Sequence, residues 1–89
     1  MSEAGRAIRR SRVGRGVTMT ALAADLGYSV PYMSDVERGN RGGFDVMMRV
    51  ADVVGADRGE ITWLWVRDRL GPDVAEAMKA WLLAQEAKP

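Results

Sequence analysis

The groups available for chemistry in this chain are carboxylates, hydroxyls, eleven arginines and two lysines, because histidine and cysteine are both absent. The commonest general base and the commonest metal ligand are therefore missing. Disulfides and thiolate metal sites are excluded as well. No paired carboxylates and no nucleophile–base spacing stand out, so the chain is not expected to be an enzyme, and no cofactor or metal is expected. What remains is the affinity of guanidinium groups for anions, and these groups are unevenly placed. Residues 1–41 carry seven arginines against four carboxylates (Glu3, Asp25, Asp35, Glu37), a net +3. Residues 42–89 carry six basic and eight acidic residues, a net −2. The first half is thus the expected contact with a polyanion.

The elements that must position those arginines are helices. Eighty-nine residues, 47% of them hydrophobic, make one small core with a narrow margin of stability. No apolar run approaches the roughly 18 residues that cross a bilayer, and no signal-peptide core follows Met1-Ser2-Glu3, so a cytoplasmic location is expected. Glycines divide the chain into five or six short helical segments. The first spans about Glu3 to Arg15, with Ile8 and Val13 as apolar anchors and Gly16 beyond it. Thr18 caps a second, Met19 to Leu26, where Val17 and Leu22 form a hydrophobic staple. Ser29 caps a third, Val30 to about Arg38, with Pro31 in its first turn and Tyr28–Met33 as its staple. A fourth covers roughly Asp45 to Val54. Asp57 and Glu60 read as a capping box opening a fifth that ends at Leu70, and Pro72 begins a sixth that runs to about Glu86.

The stretch Thr18 to Arg41 holds two of these helices joined by a turn of about four residues containing glycine, the arrangement of a helix-turn-helix. Ala23 is small where the helices must approach, Gly27 supplies a positive φ, and Ser29 caps the helix whose first residues are free to enter a major groove. Met33 and Val36 turn inward.

The pattern Leu-Ala-x-x-Leu-Gly-x-Ser-x-x-Tyr-x-Ser-x-x-Glu-Arg-Gly resembles the Cro/repressor (XRE-type) helix-turn-helix family, with residues 8–55 similar to its four-helix core. The resemblance implies an all-α, five- to six-helix, lambda-repressor-like DNA-binding domain over residues 1–70, with residues 71–89 as a C-terminal helical extension. It implies double-stranded DNA as partner, read by the third helix of a homodimer. Carried over position by position, Val30, Pro31, Ser34 and Asp35 are the base-reading residues. Thr18, Thr20, Tyr32, Arg38, Asn40 and Arg41 are the phosphate contacts. Arg12 and Glu37 match a salt bridge joining the first helix to the third. Two departures matter: Met19 stands where the family often has glutamine, and Val30 and Pro31 stand where it often has long polar readers. Contact with thymine methyls and shape readout are favoured accordingly. Ser34 and Asp35 are also compatible with a solvated face, and Arg6, Arg9, Arg10 and Arg15 with a plain solvated face as readily as with phosphate contact, or with long-range steering alone.

Trp63-Leu64-Trp65-Val66 is apolar around most of a turn, and Val74, Ala77, Met78, Trp81 and Leu82 follow at helical spacing. The dimer interface is therefore expected at Trp63, Trp65, Val66, Met78, Trp81 and Leu82, against the simpler role of the sixth helix as a cover for the fifth. The expected function is a transcription regulator, specifically a phage or prophage-type repressor binding an inverted-repeat operator. The alternatives are the antitoxin of a toxin–antitoxin pair, with the C-terminal region also holding a toxin, and a helix-turn-helix fold turned to a protein partner such as a host factor.

Overall fold

The computed structural model describes residues 2–87. Within them the chain is all-α, with six helices: α1 (Glu3–Gly14), α2 (Met19–Leu26), α3 (Val30–Arg38), α4 (Phe44–Val54), α5 (Arg58–Leu70) and α6 (Pro72–Glu86). Local chemistry accounts for most of the boundaries. Thr18 Oγ1 accepts the Ala21 N–H at 3.1 Å, Ser29 Oγ accepts the Tyr32 N–H at 3.2 Å, and Asp57 Oδ1 accepts the Glu60 N–H at 2.9 Å. Each satisfies an N-terminal amide that has no partner within its own helix. The α2–α3 turn depends on Gly27, whose φ of +75° lets the Tyr28 N–H fold back on the Ala23 carbonyl at 2.9 Å.

Ile8, Leu22, Met33, Val36, Val50, Val54 and Ile61 are the largest fully buried side chains, and they come from α1 through α5. Burying each contributes on the order of 1.5–3 kcal/mol, so these five helices hold the core together. In α1 the inward residues are Ala4, Gly5, Ala7 and Ile8, whereas Val13 is 60% exposed and is not the anchor expected of it. The reason is angular. Five residues beyond Ile8 the helix has turned Val13 well away from the core, and the inward row passes through Arg12 instead.

Two contacts lock α1 against the rest. Asp68, near the end of α5, accepts the Glu3 and Ala4 N–H groups at 3.0 Å each, while Ser2 Oγ accepts from Gly5. Gly5 itself lies against the Glu37 carbonyl of α3 so closely that a Cβ would collide with it. At the other end of the chain, α6 packs along α5 yet buries only Ala75. It leaves Val74, Met78, Trp81 and Leu82 between 43% and 62% exposed, on a molecule measuring 47 × 23 × 20 Å.

Candidate nucleic-acid interface

The face that could meet DNA is built on α3. Met33, Val36 and Glu37 fix its inner side, since all three are buried. Helical spacing then puts Val30, Pro31, Ser34, Asp35 and Arg38 on the other side. Val30 is 40% exposed, Pro31 and Arg38 are exposed, and Ser34 and Asp35 are half-buried. The capped N-terminal turn therefore presents an apolar surface, Val30 and Pro31, with hydroxyl and carboxylate groups one turn on and cations at the far end.

Beside Met33 and Val36, α3 is held by Glu37, the only charged residue that is buried among the described residues. Its Oε2 accepts from Arg12 Nε at 3.0 Å and its Oε1 from Arg12 Nη2 at 3.1 Å, with side-chain exposures of 13% for the arginine and 8% for the glutamate. Arg12 Nη1 also donates to the Val17 carbonyl at 3.0 Å. One guanidinium thus joins α1, α3 and the segment leading into α2, and every buried polar group of the pair has a partner.

The remaining residues singled out in the sequence fall into three situations. Thr18 and Thr20 are exposed at the start of α2, where Thr18 also caps the helix. Tyr32 is half-buried and packs on Tyr28 with ring centroids 4.9 Å apart, so its ring is structural while it borders the α3 face. Arg38, Asn40 and Arg41 are exposed at the end of α3 and in the loop after it. Arg38 and Arg41 flank Asp35 at 3.6 and 3.5 Å. A cleft between α1, α2 and α3, lined by Arg9, Arg12, Met19, Ser34, Glu37 and Arg38, brings Arg9 to the same side of the molecule. From the sequence, Arg9 is open between a solvated face, phosphate contact and steering. Its signal is position, one helical turn before Arg12.

The residues expected at a dimer interface do not form one exposed patch. Trp65 meets Phe44 edge-on at 5.3 Å and lies under Arg69 at 4.2 Å, which engages it within its own chain. Trp63 is half-buried with Lys79 over its ring at 5.3 Å, and Val66 is also half-buried. Met78, Trp81 and Leu82 are exposed and, with Val74 and Ala77, line one apolar groove along α6.

A family model described as a helix-turn-helix domain matches residues 3–64, which takes in α1 to α4 and the first half of α5. No curated protein and no solved structure gives a match.

Proposed function

The chain belongs to the helix-turn-helix domain family, and from that footing we propose that it is a sequence-specific, double-stranded-DNA-binding transcription regulator of the Cro/repressor (XRE-type) branch. The observation that carries the reading is the outer face of α3: a capped N-terminus, small and apolar groups at its tip, Arg38 exposed in its last turn and Arg41 exposed in the loop beyond it. A helix so disposed enters a major groove by its first turns while the cations reach the flanking phosphates. In this role Val30 and Pro31 meet thymine methyls, and Ser34 and Asp35 reach base edges. Thr18, Thr20, Tyr32, Arg38, Asn40 and Arg41 face the sugar-phosphate backbone, and no catalytic step is involved.

The regulator acts as a homodimer on an inverted-repeat operator, in the manner of a phage or prophage-type repressor. The exposed groove of α6 supports this reading, because a helix that buries one alanine and exposes Met78, Trp81 and Leu82 does little as a lid. Such a protein works where the DNA is, in the cytoplasm, and no helix among the described residues is long and apolar enough to cross a membrane.

A second reading, a helix-turn-helix used to bind a protein, is favoured by the missing polar readers at Val30 and Pro31. Titration of the protein onto duplex DNA over a salt series separates the two. For DNA binding, the logarithm of the association constant falls linearly with the logarithm of salt, in proportion to the phosphates neutralised. Absence of duplex binding at low salt, with salt-insensitive capture of a protein partner, supports the second reading.

A further inference from the structure

Resting on the DNA-binding reading, we propose that Asp35 sets specificity by holding Arg38 and Arg41 back from the phosphates of the wrong sequences. The geometry is a single carboxylate shared by two cations. Arg38 Nη1 lies 3.6 Å from Oδ1 on the same helix, and Arg41 Nε lies 3.5 Å from Oδ2, reaching back from the loop that follows. The side chains are 58%, 63% and 32% exposed for Arg38, Arg41 and Asp35. These are loose, solvated pairs that exchange partners easily. The two arginines are also the cations at the end of the face that meets DNA, so a phosphate and Asp35 compete for the same guanidinium groups.

That competition makes the carboxylate selective. On an arbitrary duplex Asp35 keeps the two arginines from the phosphates, because releasing them would leave the carboxylate without a counter-charge against a strongly negative surface. On a duplex that offers a cytosine amino group in the major groove opposite Asp35, the carboxylate accepts that donor, and both arginines are released at no loss. Discrimination then comes from a penalty on wrong sequences rather than from added attraction to the right one. Such a device suits a recognition helix whose first two residues, Val30 and Pro31, carry no side-chain donor. Glu37, the other carboxylate of α3, is engaged by Arg12 and takes no part.

The test compares the unmodified chain with Asp35→Asn on a random-sequence duplex, with Glu86→Gln, a remote exposed charge on α6, as the control for net charge. Asp35→Asn is expected to tighten binding to the random duplex by about five- to tenfold, the range that one or two exposed ion pairs can withhold. Its salt dependence should steepen, and Glu86→Gln should do neither. On a pool of duplexes differing at one position at a time, Asp35→Asn should flatten the preference at the cytosine position alone. Unchanged or weaker binding of Asp35→Asn to the random duplex, or a gain equalled by Glu86→Gln, overturns the proposal while leaving the DNA-binding reading standing. If neither the unmodified chain nor Asp35→Asn binds the duplex at low salt, both fall together.

Discussion

Arg12 and Glu37, twenty-five residues apart, meet in a two-pronged ion pair at 3.0 and 3.1 Å that is almost closed to water. The pair sets where α3 lies on α1, and so where the outer face of α3 points. Glu37→Ala leaves a guanidinium buried without its counter-charge, which costs about 3 kcal/mol; a solvated pair would cost about 0–1 kcal/mol. A double-mutant cycle with Arg12→Ala, followed by chemical denaturation, measures it. Coupling near zero would mean that the pair does not organise the fold.

Gly5→Ala tests the close approach of α1 and α3 from the other side. A methyl group there meets the Glu37 backbone carbonyl, which cannot rotate aside as a flexible side chain would. A loss of about 1–3 kcal/mol is expected, despite the better helix propensity of alanine. Stability equal to or above that of the unmodified chain, by the same denaturation measurement, contradicts the packing described.

Of these two contacts the sequence discloses the first, through its resemblance to a known family, and not the second. Helix starts at Thr18, Ser29 and Asp57, and the turn at Gly27, follow from short-range chemistry and are legible in order. Val13 is not legible in this way, because an apolar residue near a helix end looks like an anchor until its angle from Ile8 is counted. The closeness of Gly5 to Glu37 and the grip of Asp68 on the start of α1 join residues far apart in the chain, and no spacing announces them. The same holds at the candidate site. The outward residues of α3 are visible as a period, whereas the sharing of Asp35 between Arg38 and Arg41 depends on the path of the loop after Gly39.

Arg38→Ala and Arg41→Ala should each weaken binding to all duplexes alike and lower the salt slope by about one phosphate's worth. In the proposed docking, Arg38 at the last residue of α3 and Arg41 in the loop after it lie beside the backbone rather than the bases. Titration of each variant on several duplexes over a salt series checks this. A changed sequence preference with an intact slope would reassign the residue to base reading.

Removing residues 72–89, or introducing Trp81→Glu, should give a folded monomer, because α6 buries only Ala75 and the large buried side chains lie in α1 to α5. Light scattering should report a dimer for the full chain and a monomer for both variants. Affinity for a full operator should fall towards that for a half-site. A full-length chain that is monomeric at tens of micromolar would return α6 to the role of a cover on α5.

Whether α3 reads DNA sequence is measured by selecting bound duplexes from a random pool. Enrichment is expected of an inverted repeat whose half-sites lie one helical turn apart, about 34 Å between the two recognition helices. That enrichment should be lost when Val30 and Ser34 are replaced together by glutamate on the otherwise intact chain. A pool that emerges with no enriched sequence, or an enrichment that survives the double replacement, contradicts sequence reading by α3.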